Sequence, residues 1–234
     1  MKIRRPVSTA PAGFGRRRLL AGAAALAAAP LLGLVPAFGA ETPAPTGTQL
    51  SARDQQDIDR VEAYLNGIKT MKARFQQFSQ QGGLTRGWIF LRRPGQVRVQ
   101  YDPPTPVVLV SDGTMVNYYD SELDQLNQVP LSSSPLWFLL RPNVRLNRDV
   151  TVNRIERAPG ALKITLTQTD EPDTGAVSLV FRDPPLELMH WYIRDQQGQE
   201  IQVALYDTQF DVPLENALFQ TPRTRRQREG SRNK

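Results

Sequence analysis

From Leu84 to Asp120, short apolar blocks alternate with turn-forming residues. Four runs rich in Val, Ile, Tyr, Phe and Trp read as strands, because branched and aromatic side chains suit a pleated surface. Arg93-Pro94-Gly95, Asp102-Pro103-Pro104 and Asp112-Gly113 separate them. Pro fixes φ and Gly tolerates positive φ, so each breaks the extended chain. The pattern predicts a four-strand antiparallel meander. In Gly87-Trp88-Ile89-Phe90-Leu91, Trp88 and Phe90 point one way and Ile89 and Leu91 the other. A strand with one wet face alternates more cleanly, so something covers the second face of this sheet.

Before the meander, Ile58, Val61, Leu65 and Ile68 recur at three- and four-residue steps. They predict an amphipathic helix from about Ser51 to Ile68, with a stop near Asn66-Gly67. Thr70–Gln80 reads as a long strand, turned by Gly82-Gly83. After Asp120, Leu123, Leu126 and Val129 fit a short helical step ending at Pro130. Ser134 and Pro135 then suit the cap and first position of a helix. That helix lasts about two turns, because Arg141 precedes Pro142. It is apolar all round and is expected to be buried. Four strands at hairpin spacing follow: Val150–Arg157, Leu162–Thr169, Ala176–Arg182 and Leu188–Asp195. A strand from Gln199 to Phe210 and a short element around Ala217-Leu218-Phe219 close the domain. Ten or eleven strands with two helices predict a mainly β fold. We expect an incomplete antiparallel β-barrel, a half-barrel covered by a helical lid, with apolar side chains lining the space between.

Composition removes the ends from this domain. Residues 1–40 carry six basic side chains, no acid, and an Ala-rich apolar run from Leu19 to Val35. They read as a cleaved signal peptide. Ala37-Phe38-Gly39 places the cut near Ala40, and Arg16-Arg17-Arg18-Leu19-Leu20 resembles a twin-arginine signal. The run carries Pro30 and Gly33 and falls short of the ~20 apolar residues of a membrane span. Residues 41–50 read as a linker, 51–222 as the domain, and 223–234 as a basic, disordered tail. The pI of about 9.9 comes mostly from the leader and tail, since residues 41–222 hold 17 basic and 22 acidic side chains. A nucleic-acid partner is not expected, because that needs a basic face on the domain itself. The chain has no cysteine, which removes disulfides, zinc thiolates, Cys nucleophiles and an N-terminal lipid anchor through Cys.

Catalytic constellations are hard to assemble. His190 is the only histidine and sits mid-strand without a nucleophile-elbow motif. No carboxylate spacing stands out, no Gly-rich loop suits a phosphate, and Lys72-Ala73-Arg74 and Arg92-Arg93 read as solvated charges. No metal, cofactor or enzymatic activity is expected. An open barrel with an apolar interior can hold acyl chains, at about 0.8 kcal/mol per buried methylene. Periodicity alone favours a plain core built from Trp88, Phe90, Tyr101, Tyr118, Trp137 and Phe138.

The order of several segments goes further. Met71–Gln77, Gly87–Pro94, Val107–Val110 with Ser111-Asp112-Gly113, and Tyr118-Tyr119-Asp120 together resemble the LolA family, periplasmic carriers of outer-membrane lipoproteins. Ser134-Pro135-Leu136 with Leu139-Leu140 resembles that family's lid, and Ala217–Pro222 its closing Phe-x-x-Pro segment. The resemblance implies that acyl chains enter between half-barrel and lid. It places Phe75, Trp88, Phe90, Val99, Tyr101, Val108, Val110, Tyr118, Leu136, Trp137, Leu139 and Leu140 around the cavity. It gives Arg93 the role of hydrogen-bonding the lid. It also implies a soluble periplasmic monomer that receives acylated lipoproteins from an inner-membrane ABC transporter and passes them to an outer-membrane LolB-like receptor. The alternatives are a carrier of another lipid on this fold and a lipid- or lipoprotein-sensing module.

Overall fold

The computed structural model describes residues 50–225 and 227. The expected signal peptide, nearly all of the linker and most of the basic tail lie outside these residues.

Helix α1 spans Ala52–Gly67. Its start is fixed by a capping box: the Asp54 amide donates to Ser51 Oγ at 3.1 Å, and the Ser51 amide donates to Asp54 Oδ2 at 2.9 Å. Ile58, Val61 and Leu65 form its buried stripe. Eleven strands follow: β1 Thr70–Ser79, β2 Leu84–Arg92, β3 Gln96–Tyr101, β4 Val107–Asp112, β5 Met115–Asp120, β6 Gln125–Pro130, β7 Val150–Ala158, β8 Ala161–Gln168, β9 Gly175–Arg182, β10 Glu187–Asp195 and β11 Glu200–Phe210. They form one antiparallel sheet in the order β6-β5-β4-β3-β2-β1-β11-β10-β9-β8-β7. Each strand pairs with its sequence neighbour, except where β1 meets β11. β6 and β7 remain as free edges, so the sheet is open.

The inner face is set by alternation along the strands. Met71, Ala73 and Phe75 of β1, Ile89 and Leu91 of β2, Trp191 of β10, and Val203 and Leu205 of β11 are buried together with the α1 stripe. Leu162, Ile164 and Leu166 of β8 and Val177, Leu179 and Phe181 of β9 complete this core. Phe75 lies opposite Gly87, where a Cβ would stand 2.7 Å from the Phe75 ring and 2.2 Å from the Gln100 carbonyl. Only glycine permits that approach.

Two segments differ from the sequence-based expectation. Leu123, Leu126 and Val129 do not form a helical turn. The Asp120 carboxylate accepts from the Glu122 and Leu123 amides at 2.9 and 3.0 Å, which turns the chain straight into strand β6. The expected two-turn helix near Ser134 is a pair of 3-10 turns, Leu131–Ser133 and Trp137–Leu140. Its bonds run three residues back, as from the Leu139 amide to the Leu136 carbonyl at 3.0 Å. Pro142 follows too soon for an α-helical nucleus to form. Ser134 is not its cap, and no side chain caps the second turn.

The stretch after β11, which carries the short element expected around Ala217-Leu218-Phe219, crosses the outer face of the sheet as a strap. Thr70 Oγ1 donates to the Val212 carbonyl at 2.8 Å, Arg92 Nη1 to Leu214 at 3.1 Å, and Arg98 Nη1 to Leu218 at 3.2 Å. Its 3-10 turn, Asn216–Phe219, packs on β3 and β4. Phe219 is buried, with the Arg92 guanidinium 4.6 Å from its ring centre. The strap covers part of the second apolar face that the meander pattern demanded.

Candidate functional site

Between the sheet and the 131–140 segment lies a cavity of about 250 Å³. That is far more than the roughly 10–15 Å³ a single buried water needs. Leu65 and Ile68 at the end of α1 form one side. Met71, Ile89, Leu91, Val97, Val99, Leu109 and Val116 form the sheet wall across β1 to β5. Leu188, Trp191 and Ile193 of β10 close the far side, and Leu131, Ser134, Leu136, Leu139 and Leu140 form the roof. Arg93 and Ser134 are the two polar side chains among these 18 residues. Such a surface offers apolar contact area and almost no hydrogen-bonding pattern, so it selects for hydrocarbon rather than for a polar group.

The roof is lightly tied. Its main-chain anchors are the Leu131 amide on the Thr114 carbonyl at 2.9 Å and the Gly95 amide on the Leu140 carbonyl at 2.8 Å. Gly95 has φ of +74°, and a Cβ there would sit 2.5 Å from Gly113 Cα. This turn is therefore restricted to glycine, and Ser111 Oγ fixes it by donating to the Gly95 carbonyl at 2.8 Å. Phe138, 1% exposed, plugs the roof into the core, and Leu140 is buried beside it.

Arg93 stands at the junction of cavity, α1 and roof. Its Nη1 donates to the Leu65 carbonyl in the last turn of α1. Its main-chain amide donates to the Lys69 carbonyl at 2.9 Å. Arg93 makes no ion pair among the described residues, and its buried Nε has no hydrogen-bond partner there. Burial accordingly holds the guanidinium down to about 10. Its tie runs to α1, while the neighbouring Gly95 amide holds the 131–140 segment. The indole N–H of Trp191 in the far wall is likewise buried and unpartnered among the described residues.

Of the residues expected around the cavity, the structure brings Val99, Leu136, Leu139 and Leu140 together in its lining, with Arg93 at its edge. The others are placed elsewhere. Phe75 and Tyr101 are on the inner face but form the next layer of core, edge-on at 5.3 Å. The Tyr101 hydroxyl donates to Gln77 Oε1 at 2.8 Å. Tyr118 faces inward opposite Leu109 but lies outside the lining, 39% exposed. Trp137 stacks under Arg141 at 5.2 Å and lines a shallow outer cleft with Pro94 and Gly95. Trp88, Phe90, Val108 and Val110 are a correction. They occupy the outer face of β2 and β4, because Ile89, Leu91 and Leu109 face the cavity and side chains alternate. Trp88 and Phe90 stack at 6.1 Å on that outer face, with Lys72 and Arg74 over the indole. His190 pairs with Ala204 on the outer face of β10, edge-on to Tyr192 at 5.3 Å. Burial and the nearby Lys163 hold it below the ordinary histidine range.

Ile89 and Leu91 were legible only as the face opposite the bulky aromatics, and Leu109 was not singled out within its Val-rich run. The β10 wall was not singled out, because Leu188–Ile193 is apolar on both faces and a register shift lies between Leu188 and His190.

An open antiparallel sheet wrapped on a roofed, almost wholly apolar cavity defines the half-barrel class of fold. Within that class, the family described as "Outer membrane lipoprotein carrier protein LolA" matches residues 66–222, and the chain belongs to the LolA family. An outer-membrane lipoprotein carrier protein of Pseudomonas paraeruginosa is 26% identical over 183 residues, covering 74% of this chain and 87% of that protein. A Rickettsia prowazekii protein, named as uncharacterized protein RP864, is 25% identical over 118 residues, and the match spans half of this chain and 55% of that one. Among solved structures, the LolA superfamily protein NE2245 from Nitrosomonas europaea aligns with a TM-score of 0.42 at 12% identity, over 70% of this chain and 97% of that one.

Proposed function

We propose that this protein is a periplasmic carrier that takes the acyl chains of lipoproteins into the cavity and moves them from the inner to the outer membrane. The observation that carries this reading is the cavity itself: 16 of its 18 lining residues are apolar, and a short, lightly tied segment closes it. Membership of the LolA family and the likeness to outer-membrane lipoprotein carrier proteins support it. Among the described residues no helix is long and apolar enough to cross a membrane.

The chemistry is non-covalent. At about 0.8 kcal/mol per buried methylene, affinity rises roughly fourfold with each methylene until the cavity is full. At about 250 Å³ the cavity lies below the roughly 300–1,000 Å³ usual for ligand pockets, so a long chain enters by displacing the 131–140 roof. The roof can move because two main-chain hydrogen bonds and apolar contacts hold it, and incoming hydrocarbon replaces those contacts in kind. Arg93 opposes full collapse onto the hydrocarbon, since its unpaired charge sits at the cavity edge. Bound cargo is thereby held without being trapped. Loading by an inner-membrane ABC transporter and delivery to a LolB-like receptor complete the cycle, with the carrier acting as a monomer and needing no cofactor.

The test is binding of triacylated, diacylated and unacylated forms of one lipopeptide, followed by native mass spectrometry. The reading expects one-to-one complexes with the acylated forms alone. Capture of free phospholipid in preference to every lipopeptide would assign the same cavity to another lipid.

A further inference from the structure

The outer face of β1 to β3 carries a second surface that the cavity does not use. Cross-strand partners share a face, so the register assigns Lys72, Arg74 and Phe78 of β1 and Leu84, Arg86 and Trp88 of β2 to it. Phe78 and Leu84 pair directly at the tip of the hairpin and are 38% and 44% exposed. The connecting residues, Gln80-Gln81-Gly82-Gly83, carry no charge. Gln81 Nε2 donates to Gln199 Oε1 at 2.9 Å, which joins this tip to the neighbouring β10–β11 turn. The carboxylate of that turn, Asp195, is directed at the Gln197 and Gln199 amides at 2.9 and 2.8 Å.

Behind the apolar tip comes a cationic belt. Arg86 follows Leu84 at about 7 Å along the strand and Trp88 at about 13 Å. Lys72 and Arg74 lie over the Trp88 ring at 4.7 and 4.8 Å. The one ion pair that Lys72, Arg74, Arg86, Arg92 and Arg98 make among the described residues is Arg74 with Asp102, at 2.6 Å. Arg92 and Arg98 donate to strap carbonyls, which leaves their charges unneutralised. This cluster sits on a domain that is net acidic between residues 41 and 222. An apolar tip, then cations, then an indole is the depth order of a membrane–water interface, where apolar groups enter about 5–10 Å and basic and Trp side chains sit at headgroup level. An acidic protein partner would match the cations but would not require exposed Phe78 and Leu84 at an uncharged tip.

We propose that the β1–β2 hairpin docks this protein onto the surface of an anionic phospholipid bilayer. The contact is independent of cargo in the cavity. It concentrates the carrier at membranes and is weak and reversible, since each cation contributes only about a fivefold gain in partitioning.

The experiment uses the full chain without cargo, sedimented with vesicles of phosphatidylcholine alone or mixed with phosphatidylglycerol. Binding is expected to the mixed vesicles alone and to fall with added salt. Because residues 223–234 are basic and can also bind anionic lipid, the hairpin variants decide. Arg86→Glu is expected to weaken partitioning by more than tenfold. Leu84→Ser, which leaves every charge in place, is expected to weaken it severalfold. In Leu84→Trp, the new indole is expected to shift its emission to the blue on vesicle addition. Each substituted residue is exposed, and a thermal melt of each variant checks that the fold is intact. No binding to mixed vesicles, equal binding by the wild type and the Arg86→Glu and Leu84→Ser variants, or retention on an immobilised acidic peptide but not on vesicles would each overturn the proposal. Lipopeptide capture by the same variants is expected to stay at the wild-type level, so failure here and failure of the carrier reading are separate results.

Discussion

Leu109→Trp and Val108→Trp form a matched pair that tests which face of β4 binds ligand. Leu109 points into the cavity between Val99 and Tyr118, whereas Val108, one residue earlier, lies on the outer face opposite Tyr119. An indole at position 109 occupies cavity space that otherwise admits hydrocarbon. If it excludes about three methylenes, the loss is about 2.4 kcal/mol, or roughly sixtyfold in Kd. The same indole at position 108 adds surface outside the cavity and is expected to change Kd less than twofold. The assay is competition of acylated lipopeptides against a fluorescent acyl probe, repeated along a series of chain lengths. The Leu109→Trp protein is expected to reach its affinity plateau about three methylenes earlier than the wild type. Both proteins are expected to stay folded, because the indole at 109 enters empty space, and a change of about 1 kcal/mol moves Tm by only about 2–4 °C at this size. Equal losses in the two variants, or a larger loss for Val108→Trp, would refute the assignment of the inner face and with it the cavity as the ligand site.

Arg93→Leu removes a charged donor from the Leu65 carbonyl, a bond worth about 1.5–3 kcal/mol, while relieving a buried charge. Global stability is expected to change little, but hydrogen exchange in the last turn of α1 should accelerate roughly ten- to hundredfold. Unchanged exchange there would remove Arg93 as a tie. Phe138→Ala empties a site that is 1% exposed and should cost about 3–5 kcal/mol in urea unfolding; a cost below about 1 kcal/mol would show that the roof is not anchored by this ring. Acid stability depends on the ion pairs that bind α1 to the sheet. Asp54 is pushed down to about 2, first by its hydrogen bond from Arg157, and Asp183 is lowered by Arg60. A lowered carboxylate stabilises above its unfolded range, near 3.9, and loses that contribution as pH falls through the folded value. Tm should therefore hold from pH 7 to about 5 and fall between about 4 and 2, and Arg157→Gln should flatten the fall. An identical acid slope in that variant would contradict the assignment.

The strand pattern carried most of the fold because period-two alternation and Pro/Gly turns are local. The meander, the hairpins after residue 150 and the α1 stripe are visible in the residues themselves. The facing of the strands was harder to read. Trp88 and Phe90 are the bulkiest side chains on β2, yet the inner face is marked by Gly87, which must be small to admit Phe75. The cations over Trp88 shelter its ring, so both faces of β2 appear apolar. Burial from a distant segment has no local signature. The roof and β6 were misread for a related reason. Helical spacing was present, but Pro142 and the Asp120 turn left no length for an α-helix. Arg93 was legible as a position, by resemblance, while its particular acceptor, Leu65, depends on how α1 meets the sheet.

The measurement that bears most directly on the carrier reading is release of lipoprotein from inner-membrane spheroplasts into solution on addition of the purified protein. The account predicts a soluble one-to-one complex with acylated lipoprotein, none with an unacylated form of the same cargo, and a marked loss with Leu109→Trp. Absence of release by folded protein, or equal release of acylated and unacylated cargo, would contradict it.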